Sequence, residues 1–182
     1  MEIEQTGFEG LLLIAPKVFA DDRGFFLETF NAERYRASGM TDSFVQDNWS
    51  RSAKGTLRGL HFQNPNAQGK LLWCARGSVW DVVVDLRSGS PTRFKWYGAE
   101  LSEANKKQLW IPKGFAHGFC VTSDSADFVY KCTEKYTPAH EHSIRWNDPA
   151  LGIKWPVNEP TLSKKDAAAG SLAELEASGV LR

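Results

Sequence analysis

The sequence predicts a mainly β protein, folded as one antiparallel sandwich or barrel domain over residues 1–182. Three observations lead to this prediction. Apolar and polar residues alternate with a period of two through residues 80–86, as they do in a strand. Gly and Pro interrupt the chain at short intervals between Phe44 and Trp146, as in sandwiches and barrels. The 7 Trp, 11 Phe and 4 Tyr residues fit pleated, half-buried surfaces.

The N-terminal segment predicts a hairpin followed by a short helix. Residues 8–30 alternate short apolar runs with charged or Gly breaks, so they read as two strands around the turn DDRG. Residues 31–39 form the first plausible helix, because Asn31 can cap its start and Gly39 can end it.

The central segment predicts strands over residues 57–63 and 70–75, then a turn at Arg76-Gly77-Ser78. Beyond that turn Trp80, Val82, Val84 and Leu86 share one strand face, with Asp81 and Asp85 on the other. The tail is different: Ser163-x-x-Asp166 and Ser171-x-x-Glu174 are capping-box patterns that precede short helices.

Charge and hydropathy exclude several classes of protein. The 22 basic and 22 acidic residues give zero formal net charge, which argues against a nucleic-acid binder. No apolar run approaches the roughly 18 residues that a membrane span needs, and the N-terminus has no signal-peptide pattern. The three cysteines are odd in number and form no C-x-x-C pair, so we expect a reducing cytoplasm.

Two histidine segments carry candidate chemistry. If residues 57–63 and 70–75 are strands, His61 and Lys70 can project into one barrel mouth as a base and a cation. The spacing Pro112-x-Gly114-x-x-His117 is that of the second half of a cupin motif. The first half normally has a His-x-His pair, but residues 60–63 read LHFQ. We therefore expect a cupin-type jelly roll without a metal site.

A specific resemblance rests on segments that occur in order along nearly the whole chain. They are RGFFLETF (23–30), QDNWSRSAKGTLRGLHFQ (46–63), QGKLLW (68–73), WDVVVDLR (80–87), GFAHGF (114–119), FVYKCTEKY (128–136) and WNDPALGIKWP (146–156). Together they resemble the dTDP-4-dehydrorhamnose 3,5-epimerase family. The resemblance implies a homodimeric cupin-type β jelly roll that acts on a dTDP-linked 4-keto-6-deoxyhexose and needs no cofactor.

The resemblance also implies roles for individual residues. His61 matches the catalytic base, Tyr130 the general acid and Asp166 the carboxylate that pairs with the base. Lys70 matches both a catalytic group and a substrate contact, and Tyr136 a residue that stacks on thymine. The remaining matches are to substrate-binding residues: Arg23, Phe26, Glu28, Gln46, Asp47, Asn48, Arg58, His117, Glu141 and Lys165.

These residue types suit epimerisation beside a ketone. One group must remove a weakly acidic proton from one face of the sugar, and another must return a proton to the opposite face. A neutral His and a tyrosine hydroxyl fit these parts, and a carboxylate beside the His would fix its tautomer. Lys70 can stabilise the enolate oxygen, while Arg23 and Arg58 can bind the diphosphate in a bidentate manner.

Local sequence leaves structural alternatives open. Asp166 could merely cap the last helices, and Tyr130 and Tyr136 could be core aromatics on one face of a continuous strand. Arg23 and Glu141 could be ordinary surface charges, and Gln46 and Asn48 could simply hydrogen-bond to neighbouring backbone groups. Lys164 is adjacent to Lys165 and is a second candidate for the same binding role.

Three functional alternatives also remain. They are an epimerase acting at carbon 3 or carbon 5 alone, a cupin metal oxygenase, and a non-catalytic sugar-nucleotide binding module. Sequence alone leaves open the number of carbons inverted, the base of the nucleotide and the source pathway.

Overall fold

A computed structural model describes residues 1–181, which form two packed antiparallel sheets, one separate hairpin and three short α-helices. The strands are β1 (Glu2–Gln5), β2 (Leu12–Ala15), β3 (Val18–Asp21), β4 (Gly24–Leu27), β5 (Gln46–Ala53), β6 (Leu57–Gln63), β7 (Lys70–Arg76), β8 (Ser78–Asp85), β9 (Trp96–Ser102), β10 (Gln108–Ile111), β11 (Phe115–Val121), β12 (Ser125–Cys132) and β13 (Glu141–Ser143). The helices are α1 (Ala32–Ala37), α2 (Lys164–Ala167) and α3 (Leu172–Ala177), and Pro138–His140 forms one 3₁₀ turn.

The two sheets mix strands that are distant in sequence. The six-stranded sheet has the order β1-β2-β10-β7-β12-β5, and the five-stranded sheet has the order β13-β6-β11-β8-β9. Within residues 1–181, strands β3 and β4 pair only with each other. This arrangement confirms the predicted mainly β, jelly-roll class with short helices near the N-terminus and at the C-terminus.

The main core lies between the sheets, where alternate residues of facing strands meet. Leu72 and Phe128 come from the six-stranded sheet and Val83 and Phe119 from the five-stranded sheet, and each is buried. The outer face of the five-stranded sheet is covered by the C-terminal segment, with Leu172 packed against it. The outer face of the six-stranded sheet is covered by the segment around α1. Both faces of each sheet are therefore buried over much of their area.

Several local predictions are confirmed. The turn between β3 and β4 is the predicted DDRG, and α1 begins after Asn31, whose side chain accepts a hydrogen bond from the Arg34 backbone N–H at 3.1 Å. The turn before β8 requires glycine, because Gly77 has a φ of +74° and an added Cβ would lie 2.1 Å from the Ser125 carbonyl oxygen.

One expectation about strand continuity is wrong. Strand β12 ends at Cys132, so Tyr136 does not share its face with Tyr130. The backbone N–H of Thr133 bonds to the Gly69 carbonyl, and the chain then turns towards β13. Tyr136 lies on this turning segment and is half exposed. Within the part of the chain that the structure describes, no helix is long and apolar enough to cross a membrane.

Candidate active site

An open pocket with a cavity volume of about 240 Å³ lies between the two sheets, at the end where β6 stops and β7 starts. The five-stranded sheet contributes His61 from β6, and the six-stranded sheet contributes Lys70 and Tyr130 from β7 and β12. The full lining is Gln46, Asn48, His61, Phe62, Gln63, Gln68, Lys70, Tyr130, Cys132, Tyr136 and Glu141. The pocket therefore gathers the predicted base, acid and cation in one place.

His61 is held by Asp166, although 105 residues separate them in sequence. Helix α2 follows its cap Ser163 and brings the Asp166 carboxylate to 2.5 Å from His61 Nε2. The same carboxylate accepts a hydrogen bond from the Ser163 hydroxyl at 2.8 Å. Asp166 thus stabilises the start of α2 and also contacts His61. The helix-capping role and the role as partner of His61, which the sequence offered as alternatives, are therefore compatible.

The electrostatics of this pair favour an ionised carboxylate. Burial acts to raise the pKa of Asp166, but the bonds to His61 and Ser163 and the charge of Lys165 outweigh it, so this pKa lies below its ordinary value. A carboxylate only accepts hydrogen bonds, so His61 donates from Nε2, and in a neutral imidazole Nδ1 is then the nitrogen with the lone pair. The His61 side chain remains 28% exposed, on the pocket side.

Tyr130 faces His61 from the opposite sheet. Its ring packs at the edge of the main core, 6.2 Å from the Phe128 ring centroid. Among residues 1–181 no group hydrogen-bonds to its hydroxyl, which opens on the pocket. Burial raises the pKa of Tyr130, and the Cys132 and Glu141 charges add to this effect while Arg58 opposes it. The phenol is therefore protonated at neutral pH and is available as a donor.

Lys70 lies at the start of β7 on the same pocket wall. Its ammonium makes no hydrogen bond or ion pair with any residue in the range 1–181. Burial lowers the pKa of Lys70, while negative charge at Cys132, Asp81 and Glu141 acts to raise it. This cation is free to bind a ligand oxygen.

The rim of the pocket is a small polar network centred on Glu141. The Tyr136 hydroxyl donates to Glu141 at 2.5 Å, and the Lys165 ammonium forms an ion pair with the same carboxylate. Gln46 accepts a hydrogen bond from the Tyr136 backbone N–H at 2.9 Å and donates to Asn48 at 3.0 Å. Lys165, and not its neighbour Lys164, is therefore the lysine directed at the rim.

Three other predicted binding residues lie near the pocket without lining it. Arg58 donates two hydrogen bonds to the Ser52 hydroxyl at 3.1 and 3.0 Å. His117 is buried behind the wall and is bonded to Asp81. Asp47 belongs to the outward-facing residues of β5, where its carboxylate binds the Lys131 ammonium at 2.8 Å.

The structure does not bring Arg23, Phe26 and Glu28 to this pocket within one chain. All three belong to β4 or to the turns that flank it, and the hairpin lies over the outer face of the six-stranded sheet beside Trp73. The Arg23 side chain is 89% exposed and is bonded to Asp21, while Glu28 is paired with Arg34. A whole sheet separates this hairpin from the pocket interior.

Sequence reasoning missed several lining residues, although period-two alternation contains the signal for two of them. Gln63 lies two residues after His61, and Cys132 lies two residues after Tyr130, so each shares its neighbour's face. Gln68 lies in the loop before β7 and carries no such signal. Within residues 1–181 no group of three or more His, Cys, Asp or Glu side chains is arranged to hold a metal ion.

Comparison with known proteins gives consistent matches. A family model described as dTDP-4-dehydrorhamnose 3,5-epimerase matches residues 5–174. A relative of that name from Shigella flexneri is 54% identical over 168 residues, which cover 91% of this chain and 93% of the relative. Another from Neisseria gonorrhoeae is 51% identical over 181 residues, and this chain spans 55% of its length.

A solved structure is similar over nearly the whole fold. It is the dTDP-6-deoxy-D-glucose-3,5-epimerase of Legionella pneumophila in complex with dTDP-4-keto-L-rhamnose. The sequences are 54% identical, the TM-score is 0.95, and the match covers 98% of this chain and 96% of the other.

Proposed function

This chain belongs to the dTDP-4-dehydrorhamnose 3,5-epimerase family, and from that premise we propose how its pocket carries out the reaction. The protein is an isomerase. It inverts carbons 3 and 5 of dTDP-4-dehydro-6-deoxy-D-glucose and so forms dTDP-4-dehydro-L-rhamnose. Both carbons adjoin the carbon-4 ketone, so each inversion consists of removing a proton from one face and returning one to the other.

His61 is the base in this proposal. Its Nε2–H donates to Asp166, so the Nδ1 lone pair takes the proton from the sugar carbon. The ionised Asp166 fixes that tautomer and stabilises the imidazolium that forms. General-base catalysis of this kind contributes about a hundred- to ten-thousandfold to the rate.

Tyr130 is the acid. It reaches the pocket from the sheet opposite His61, so a sugar ring bound between them presents one face to each group. Because the pKa of Tyr130 is raised, the phenol is protonated at neutral pH and can donate its proton to the enolate. Lys70, which has no partner in the described chain, stabilises the negative oxygen at carbon 4.

The rim holds the nucleotide. Tyr136 is half exposed beside Gln46 and Glu141, so its ring is placed to stack on the thymine base. Arg58 and Lys165 supply positive charge near the pocket for the diphosphate, with Asn48 as a neighbouring polar contact.

One observation carries the proposal, namely the Asp166–His61 pair facing an unbonded tyrosine hydroxyl across a pocket. We expect NMR of the dTDP-4-keto sugar with enzyme in heavy water to show deuterium entering at two carbons. Incorporation at one carbon would assign the enzyme to single-position epimerases. Binding without any incorporation would leave a sugar-nucleotide binding module and would contradict the proposed mechanism.

We further propose that the protein works as a homodimer, in which the β3–β4 hairpin of one protomer completes the pocket of its partner. The hairpin exposes Phe19, Phe25 and Phe26, each more than half accessible, which is unusual for a surface in solution. It also carries predicted substrate-binding residues that do not reach the pocket of their own chain. In this dimer a second copy of the chain covers the exposed phenylalanines of the hairpin, and Arg23 of the hairpin lies at the pocket of that second copy.

This arrangement predicts complementation between two defective chains. Light scattering should give twice the 20.4 kDa chain mass at micromolar concentration. Arg23→Ala and His61→Asn chains, each weakly active alone, should regain activity when co-expressed, because the mixed dimer contains one intact pocket with one intact hairpin. A monomer in solution, or a mixture no more active than its components, would contradict the proposal.

We also place the protein in the cytoplasm. Cys74, Cys120 and Cys132 are buried and free. Burial raises the pKa of the Cys74 thiol to about 11, so this group stays a thiol at neutral pH. Free buried thiols of this kind suit a reducing compartment.

A further inference from the structure

The segment between β12 and β13 contains Tyr136 but belongs to neither sheet. Residues 134–137 form no helix and no strand, and within residues 1–181 the backbone of residues 134–136 makes no hydrogen bond to another backbone group. Tyr136 is half exposed, so packing alone does not fix its ring. Irregular segments of this kind are normally the more mobile parts of a fold. The position of Tyr136 at the rim therefore depends on bonds from side chains.

Gln63, at the end of β6, bonds to this segment on both sides of Tyr136. Its Nε2 donates to the Lys135 carbonyl at 3.2 Å, and its Oε1 accepts from the Thr137 N–H at 2.8 Å. Nε2 also donates to the Asn66 carbonyl at 2.8 Å. Gln63 is 5% exposed, and both donor hydrogens and the acceptor oxygen of its amide are used. The amide thus makes the bonds that the backbone of a neighbouring strand would otherwise make.

Two further glutamines bond to the same segment. Gln68, in the loop before β7, donates to the Glu134 carbonyl at 2.8 Å. Gln46, at the start of β5, accepts from the Tyr136 N–H at 2.9 Å. Each of the four residues 134–137 is therefore bonded to a glutamine side chain. Because β5 belongs to the six-stranded sheet and β6 to the five-stranded sheet, these bonds fix the segment against both sheets.

The far end of the Tyr136 side chain is fixed separately. Its hydroxyl donates to Glu141, on β13, at 2.5 Å. The residue is thus held at its backbone and at its hydroxyl, while half of it stays accessible to a ligand. A ring that is already ordered in the free protein loses little conformational freedom when a base stacks on it, and such preorganisation increases affinity.

We propose that Gln63 and Gln68 are positioning residues for the nucleobase, which hold Tyr136 in the orientation that stacks on thymine. This inference rests on the proposed function, since it concerns the residue that stacks on the base. In this scheme the two glutamines act through the backbone of residues 134–137. They determine how tightly the nucleotide binds, and they take no part in the proton transfers at the sugar.

The test uses Gln63→Met, which keeps nearly the same length and volume but cannot make the three hydrogen bonds. We expect calorimetry to show that dTDP binds about tenfold more weakly. KM should rise while kcat stays within about twofold of wild type, because only binding is affected. Hydrogen exchange at the Thr137 amide should become faster, because its N–H loses its acceptor.

Both glutamines also line the pocket, so direct contact with the hexose is the alternative explanation. The ligand dTDP has no hexose, so a residue that acts only on that sugar would leave dTDP affinity unchanged. If Gln63→Met does not fold, Gln68→Met gives the same readout. Gln68 is less buried and makes one bond to the segment, so the expected loss of dTDP affinity is smaller, about threefold.

A double variant separates positioning from a general effect on folding. In Tyr136→Ala protein the ring is absent, so adding Gln63→Met should change dTDP affinity by less than about twofold. Ser123→Ala is the matched control. At the opposite end of the sandwich, the Ser123 hydroxyl accepts from the Ser78 N–H at 2.8 Å and donates to the Ser125 carbonyl at 2.8 Å. Its loss should lower thermal stability and leave dTDP affinity unchanged.

An unchanged dTDP affinity in Gln63→Met, or an equal loss in Ser123→Ala, would overturn the inference. So would a Tyr136→Ala variant that binds dTDP like wild type, or one in which Gln63→Met still has its full effect. The binding measurements need no turnover, so the proposed reaction fails separately, if wild-type protein binds dTDP but does not epimerise the dTDP-4-keto sugar.

Discussion

Replacing His61 by alanine should lower turnover by about a hundredfold or more, because the variant has no group to take the proton from the sugar. Binding of dTDP should survive, since the nucleotide contacts that we propose lie at the rim around Tyr136 and Glu141. Turnover by NMR and dTDP affinity by calorimetry would be measured on the same preparation. If the variant keeps more than about a tenth of wild-type turnover, His61 is not the base.

Two further variants separate chemistry from stability in this experiment. His61→Ala removes the donor to the buried Asp166, so some loss of thermal stability is expected as well. His61→Asn can still donate to that carboxylate but cannot act as a base, so it should be as inactive as alanine and more stable. His140→Ala removes a histidine that is bonded to Asn66 outside the pocket, and its turnover should match wild type.

Replacing Tyr130 by phenylalanine should separate proton removal from inversion. The hydroxyl has no partner among residues 1–181, so its loss should leave folding and substrate binding nearly intact. His61 can still abstract, but the enolate lacks a donor on its other face. The variant should therefore exchange substrate hydrogen with heavy water faster than it forms inverted product, with turnover reduced by about a hundredfold.

Tyr97→Phe is the matched control for this result. Tyr97 is also partly buried against the main core, where it packs edge-on against Phe8, and it is outside the pocket. Its hydroxyl should be dispensable for both exchange and inversion. An unchanged ratio of exchange to inversion in Tyr130→Phe, at normal turnover, would remove Tyr130 from the mechanism and leave it as a core aromatic.

The part of this site that could be predicted from the sequence depends on the alternation of residues along single strands. The strands predicted over residues 57–63 and 70–75 are β6 and β7, and they do direct His61 and Lys70 into one opening. The starts of two helices could also be predicted, because Asn31 and Ser171 have side chains that cap the N-termini of α1 and α3. In each case a few neighbouring residues contain the whole signal.

What could not be predicted depends on contacts between distant segments. Asp166 meets His61 only after the chain has built both sheets, so local sequence could not choose between a cap and a catalytic partner. The position of the β3–β4 hairpin on the outer face, away from the pocket, follows from tertiary packing that no turn motif encodes. The family resemblance identified Arg23, Phe26 and Glu28 as candidate substrate-binding residues. The structure shows that they lie outside the pocket of their own protomer.

The close approach of β6 and β11 limits how this site can be re-engineered. A Cβ added to Gly118 would lie 2.7 Å from the Arg58 carbonyl oxygen, and one added to Gly59 would lie 2.5 Å from the Gly118 Cα. Any larger residue would push the two backbones apart and move His61 relative to Tyr130. A designer who wants the pocket to accept bulkier sugars therefore has no freedom at this glycine pair.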